Sequence, residues 1–343
     1  YISDNSFEGM RYATSVSLPS SLDSIGKRAF WACTKLDSLK IPSSVKKIDW
    51  QAFSSCKSIK KVDLHVKSDV IGISAFEDCV ELQKVNFSLS SKKISQKAFG
   101  GCRKLKELFF PDGFEEISDS AFYSCDSLRS VTLPKSLKII SPYSFFWCKS
   151  LRSITIPGSV DTIGEHSFYM CDNLESVIVE EGVKALGVRS FSECNKLYSV
   201  KLPSSLRDIM DYAFTDSHAI YDISLPDSIK NIGIGVFGDC QYLEKIVLPK
   251  CLKQLNHFTF SGCHGLKEIV FNCDLQKIDN DVFQECISLE KFVYDCDNPV
   301  KLDNVLSKQF SSDKITLYIP KKAKKRFIES GWGVIKNIKE YGR

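Results

Sequence analysis

Eleven of the fourteen cysteines in this 343-residue chain lie on one 23-residue grid: Cys33, Cys56, Cys79, Cys102, Cys125, Cys148, Cys171, Cys194, Cys240, Cys263 and Cys286. Clustered thiolates hold metals, but no C-x-x-C occurs. Disulfides need Cβ atoms about 3.5–4.5 Å apart, and side chains stacked at a strand spacing of about 4.8 Å lie beyond that range. The grid therefore predicts buried free thiols, small apolar side chains with weak S–H donors facing turn carbonyls. Cys251, Cys273 and Cys296 fall off the grid. The last two share one position in adjacent units, so a disulfide between them stays open.

Other reactive residues show no convergence. Gly233-Ile-Gly235-Val-Phe-Gly238 matches a dinucleotide-binding spelling, but no long helix follows and the repeat described below accounts for its letters. His65, His166, His218, His257 and His264 are scattered, and neither H-E-x-x-H nor G-x-S-x-G is present. Asp279 and Asp281, with Asp295 and Asp297 further on, offer oxygen ligands for a weak Ca²⁺ site without a loop signature. The expectation is a chain without catalytic residues, cofactor or dedicated metal site. Forty-six Lys and Arg against 42 Asp and Glu give a net charge of +4, which does not describe a nucleic-acid binder. No stretch reaches the roughly 18 apolar residues of a membrane-spanning helix.

The elements that must position these residues repeat with the same period. Phe stands at positions 7, 30, 53, 76, 99, 122, 145, 168, 191, 214, 237, 260 and 283 without one insertion. Relative to each Phe (position 0), +3 is the cysteine column, +6 is Leu or Ile in twelve units, +9 and +11 are apolar, +12 is often Pro, and +18 is Ile or Leu in twelve units. The +9/+11 alternation predicts a short strand with one buried face, which Pro at +12 ends because it has no N–H for a ladder. Ser at +14, as in Ser44, Ser136 and Ser228, suits a turn. One 23-residue unit buries too few apolar side chains to offset the ordering of its backbone. Stability requires neighbours on both sides, which is a solenoid with one parallel strand per coil.

Leu36-x-x-Leu39-x-Ile41 and Leu128-x-x-Val131-x-Leu133 resemble the leucine-rich repeat superfamily. Ala29-Phe30-x-x-Cys33, Ala121-Phe122-x-x-Cys125 and Ile41-Pro42-Ser43-Ser44-Val45 resemble its BspA-like subclass. The resemblance covers about residues 1–300. It implies a β-rich α/β solenoid, a right-handed superhelix of about thirteen coils. It also implies a bacterial surface or secreted protein, adhesive in some members, whose partners are host matrix or other bacterial surface proteins. The closing segment, Leu317-Tyr318-Ile319-Pro320 through Trp332 and Ile335, resembles that of Bacteroidales relatives. Departures are Val66 to Ser91, where two units lose the Pro and the +15 apolar residue, and Ser217 in the cysteine column.

One structural domain is expected, with the solenoid over 1–300 and a cap over 301–343. The chain begins in mid-pattern without Met, so an upstream segment and its leader are expected to have been removed. A loop is expected over 297–313, a strand over 315–319, and a capping helix over 321–330 with Ala323, Phe327 and Ile328 inward. Its Lys321-Lys322-Ala323-Lys324-Lys325-Arg326 run reads as a solvated face or a contact for an anionic surface. Two outward strips are candidate partner sites. The first comprises Phe109, Ile178, Val247, Val270 and Val293 at +10, with Tyr198 and Tyr221 at +7, on the expected concave face. Partner contact and cover by the 297–313 loop are the two readings of that strip. The second comprises Tyr123, Phe146 and Tyr169 at +1, beside Trp147, and suits packing between coils or a protein or glycan contact.

Overall fold

The computed structural model describes residues 1–64, 71–272, 274–302 and 314–342. It divides into two compact units, Tyr1–Val183 and Lys184–Arg343. Each is a β-solenoid wound from the same 23-residue coil, about thirteen coils in all, with almost no helix among the described residues.

The coil runs through three zones, the first of which is interrupted at residues 222–225, where no strand forms. The first ladder is built from +8 to +11, as in Lys61–Leu64 beside Lys84–Phe87 and Ser153–Ile156 beside Ser176–Val179 in the first unit. In the second unit Lys245–Leu248, Glu268–Phe271 and Lys291–Tyr294 stand side by side. All these pairs are parallel with a register shift of one period, so like positions stack and side chains alternate between buried and outward. Pro and Ser then turn the chain. Ser44 Oγ donates to Leu22 O and Ser136 Oγ to Phe114 O, each at 2.8 Å, tying the turn to the coil before it.

A second ladder lies at +17 and +18, and it corrects the expectation of one strand per coil. In the first unit Lys93–Ile94 pairs with Glu116–Ile117, which pairs with Ile139–Ile140. In the second, Ala185–Leu186 pairs with Asp208–Ile209, which pairs with Asn231–Ile232. Two residues with a single apolar member carry no alternation to read, so periodicity could not reveal these strands.

The third zone is a turn wall around Phe. Its rings stack face to face, with centroids 5.1–5.8 Å apart from Phe7 to Phe168 in the first unit. From Phe191 to Phe283 in the second they are 5.6–5.9 Å apart. The residues two before and two after Phe adopt left-handed backbone, as Gln51 (φ 53°) and Ser55 (φ 60°) do around Phe53. Such residues are strained without glycine. Every second N–H along this turn points toward the next coil, while those between bond within the turn, Ala29 to Gly26 O and Trp31 to Arg28 O. Arg28, Phe30 and Ala32 thus donate to Trp50 O, Ala52 O and Ser54 O of the next coil at 2.8–2.9 Å. Stacking and these bonds hold the strained backbone.

The cysteine column behaves as free buried thiols. Cys56 Sγ donates to Phe30 O at 3.1 Å, Cys79 Sγ to Phe53 O at 3.3 Å and Cys263 Sγ to Phe237 O at 3.0 Å, always one coil back. Ser217 keeps the bond with oxygen, donating to Phe191 O at 2.8 Å. Burial pushes most of these thiols up: Cys286 reaches about 12 and Cys102 and Cys171 go well above the ordinary thiol range, whereas a hydrogen bond with Cys56 holds Cys33 below it. Cys273 lies outside the described residues, so the expected pairing with Cys296 does too.

At the C-terminus, Thr316–Pro320 extends the first ladder beside Lys291–Tyr294. The helix is Lys324–Glu329, seated by the fully buried Ala323 and Phe327. Ile328 is half exposed rather than inward, because one residue past Phe327 it has rotated about 100° around the axis. A further strand, Asn337–Tyr341, pairs parallel with Thr316–Pro320. Its Asn-Ile-Lys-Glu-Tyr letters show no strand alternation of buried apolar residues. Trp332 is buried between Phe292 and Tyr294 at 5.6 and 5.2 Å, and its Nε1 donates to Val300 O at 2.8 Å. In the departure region, Lys61–Leu64, Lys84–Phe87 and the Ile48–Ile71 bridge keep both ladders in register, while residues 65–70 lie outside the described set.

Candidate functional site

The first expected strip divides into separate pieces. Phe109 is 57% exposed, and its register neighbour is Thr132; Ile178 is 40% exposed beside Thr155. These are single apolar side chains on polar rungs. Tyr198 and Tyr221 are exposed one coil apart, on the approach to the first ladder.

Val247, Val270 and Val293 do form a continuous row, register partner to register partner. The sequence reading stopped at Val293. The structure extends the row to Tyr318 and Lys339, which the cap strands place in the next two rungs. Lys291 Nζ lies 5.2 Å and Lys339 Nζ 5.6 Å from the Tyr318 ring, so the aromatic end is framed by two ammonium groups. One column away, Glu268 sits between Lys245 at 2.9 Å and Lys291 at 2.8 Å. Its partial burial favours the neutral acid. Hydrogen bonds from Lys291 and Lys245 outweigh that and hold the carboxyl below the ordinary glutamate value. The opposite face of these strands is closed core: Ile246, Leu248, Ile269, Phe271, Phe292 and Tyr294 are buried.

Val247 is 38% exposed, and Val270 and Val293 are half-buried. Of the loop expected to cover them, the described part turns inward. Val300 and Leu302 are buried, with Val300 held to Trp332 on the core side. Residues 303–313 lie outside the described set.

The second strip gains two members that sequence reasoning missed, Tyr143 and His166. They occupy the left-handed position two before Phe, three residues before the +1 column, so both columns meet on the turn wall. His166 stacks on Tyr143 at 4.8 Å and meets Tyr169 edge-on at 5.3 Å. Phe146 touches Tyr143, Tyr169 and Trp147 at 5.6–6.1 Å, and Lys149 Nζ lies 4.5 Å from the Trp147 ring. Reading the −2 column beside +1 would have found them. Tyr123 leans the other way. Its ring lies over Gly100, where a Cβ would come within 2.3 Å of it, and its hydroxyl donates to Glu77 Oε1 at 2.9 Å. Burial, then that carboxylate, pushes the phenol up.

The aspartates do not assemble. Asp279 and Asp281 face His257 at 3.7 and 3.5 Å, and Asp279 also meets Lys277 at 2.6 Å. Asp295 and Asp297 line a different cavity, of about 510 Å³. Among the described residues no three or more His, Cys, Asp or Glu side chains are grouped to hold a metal ion. His218 Nδ1 pairs with Asp239 O at 2.8 Å and His264 faces Glu285 at 3.7 Å, while His65 lies outside the described residues. The Gly233–Gly238 letters form part of a turn wall around Phe237, without a helix. No described helix is long and apolar enough to cross a membrane.

A repeated Phe–Cys turn wall with two parallel ladders defines a leucine-rich repeat protein. The model of the BspA-type leucine-rich repeat region matches residues 1–129, 69–198, 115–244 and 184–316, and the chain belongs to that family. No curated protein matches the sequence. Among solved structures, a leucine-rich repeat protein from Bacteroides ovatus is similar, with 26% identity over 99% of this chain and 87% of that one and a TM-score of 0.73. The pneumococcal vaccine antigen PcpA shares the fold, with 21% identity over 96% of this chain and 80% of that one and a TM-score of 0.57.

Proposed function

We propose that this protein is a non-enzymatic binding module, secreted or held at a bacterial cell surface, and that it binds a protein partner through the outward face of its C-terminal sheet. The observation that carries this reading is the row Val247–Val270–Val293–Tyr318. It is an open apolar strip on a sheet whose other side is sealed, ending in an aromatic ring between two ammonium groups. Apolar rows rimmed by charge suit protein contacts, and a solenoid presents them on a fixed frame at little entropic cost. Family membership supports the surface setting, since BspA-like repeats are implied to be displayed and adhesive.

The test is surface binding to immobilised fibronectin, laminin and collagen, comparing the protein with the double variant Val270→Asp, Val293→Asp. Saturable binding that the variant loses, with its melting curve intact, supports the reading. Equal binding by both proteins removes the strip from consideration. Absence of binding to every matrix protein favours a spacer that displays other segments.

A further inference from the structure

In the repeats, lysines are neutralised across coils. Lys104 pairs with Glu81, Lys138 with Glu115, Lys250 with Asp227, Lys267 with Glu244 and Lys291 with Glu268, at 2.5–3.3 Å and one period apart in every case. At these five positions the period supplies the cation with a carboxylate one rung away.

The cap breaks that rule. Residues 314–343 hold nine Lys and Arg against two Glu, a net +7, while residues 1–313 hold 37 against 40, a net −3. The whole positive balance of the chain thus resides in its last thirty residues. Lys321, Lys322, Lys324 and Arg326 are exposed and make no ion pair among the described residues, and Lys325 reaches Glu329 only at 3.9 Å. These charges are not on a loose tail. Ala323 and Phe327 are fully buried beneath them, and Tyr294 meets the Phe327 ring edge-on at 4.9 Å.

We propose that this basic cap is a docking site for a linear acidic polysaccharide, bearing carboxylate or sulfate groups. An exposed cluster of five cations, four of them without an ion pair among the described residues, attracts a polyanion from its rigid support by charge complementarity and counterion release. The surroundings favour a polysaccharide over other polyanions. Insertion into a membrane needs an apolar face, and on this helix Ile328 alone is exposed and apolar. Single-stranded nucleic acid is gripped by runs of exposed aromatic rings, and of the rings of the cap Tyr318 lies half-buried on the sheet face. Here Trp332 is buried, and the Tyr341 hydroxyl is tied to Tyr294 O at 2.7 Å.

The test compares three proteins on heparin–agarose near 0.15 M salt: the full chain, a cap variant (Lys322→Gln, Lys324→Gln, Lys325→Gln, Arg326→Gln), and a control of equal net charge (Lys57→Gln, Lys60→Gln, Lys106→Gln, Lys135→Gln). With each cation contributing about 1 kcal/mol against an anionic surface, the cap variant should bind at least about 100-fold more weakly. The control should be retained like the full chain. Circular dichroism checks that both variants fold. Failure of the full chain to bind, or equal loss by both variants, overturns the proposal. So does binding to phosphatidylserine vesicles or single-stranded DNA in preference to heparin. None of these outcomes bears on the sheet face, whose valines are untouched.

Discussion

The turn wall of the first unit and the sheet face of the second both carry outward apolar side chains, but they are built on different principles. On the wall, Tyr143, Phe146, Trp147, His166 and Tyr169 interlock through ring contacts of 4.8–6.1 Å. They stand on backbone whose left-handed residues are held by the next coil. Tyr143, Phe146, His166 and Tyr169 are half-buried there, while Trp147 stays exposed. On the sheet face, Val247, Val270 and Val293 stand in register with one another, Val247 exposed and the other two half-buried. The ring contacts tie the wall side chains to one another, whereas the row, on the reading proposed above, meets a partner. The contrast predicts that substitutions on the wall lower stability and that those on the row lower binding.

The largest expected effect strikes the wall. Phe145 is fully buried, stacked on Phe122 at 5.6 Å and on Phe168 at 5.3 Å. Phe145→Ala should cost about 3–5 kcal/mol by chemical denaturation, since it removes a large buried ring and leaves a cavity between two others. Val270→Ala should stay within about 0.5 kcal/mol, as expected of a surface change. Comparable losses would show that the row is also part of the core and dissolve the contrast.

A smaller effect sharpens it at one atom. Ser217 Oγ donates to Phe191 O at 2.8 Å and accepts from the Cys194 N–H at 3.3 Å. Ser217→Cys restores the column and should change stability by less than about 1 kcal/mol. Ser217→Val deletes both bonds in a buried place and should cost about 1–3 kcal/mol. If the two variants matched, the column would be selected by size alone.

Much of this was legible in the letters. The Phe and Cys columns gave period, solenoid and free thiols because every coil buries the same positions against its neighbours. The Val247–Val270–Val293 row followed from strand alternation. Three things did not. The +17/+18 ladder is too short to alternate. Asn337–Tyr341 is an edge strand, polar on the side it shows to solvent, and is recognisable only from its pairing with Thr316–Pro320. Tyr143 and His166 join Phe146 through left-handed turns, whose geometry departs from both the strand and the helix period.

The thiols separate inside from outside by rate. Cys251 is the exposed one among the described cysteines, whereas the column is buried apart from the partly buried Cys286, and burial pushes up thiols such as Cys102, Cys171 and Cys286, the last to about 12. Thiolate is the reactive form, so the native protein should label promptly at Cys251 and only slowly at the column. In denaturant without reductant, 12 to 14 thiols should titrate. Fast native labelling of several column cysteines would mean that the wall opens locally.

The smallest effect tests the sheet face by pH. Glu268 titrates below the ordinary glutamate value of about 4.5 because Lys291 and Lys245 favour its ionised form more than burial opposes it. A carboxyl depressed in the folded state contributes stability above its unfolded value and loses it as pH falls through the folded one. Melting temperature should therefore drop on acidification below about pH 4.5, and Glu268→Gln should lose part of that slope while melting slightly lower at pH 7. The two ammonium groups freed in that variant remain beside Val270, Val293 and Tyr318. The row keeps its apolar surface and gains local positive charge. A partner that binds through the valines should tolerate Glu268→Gln, whereas one that reads the carboxylate should not. An unchanged acid slope would mean that the Lys245–Glu268–Lys291 bridge is screened in solution and that the row, without its charged border, defines the face.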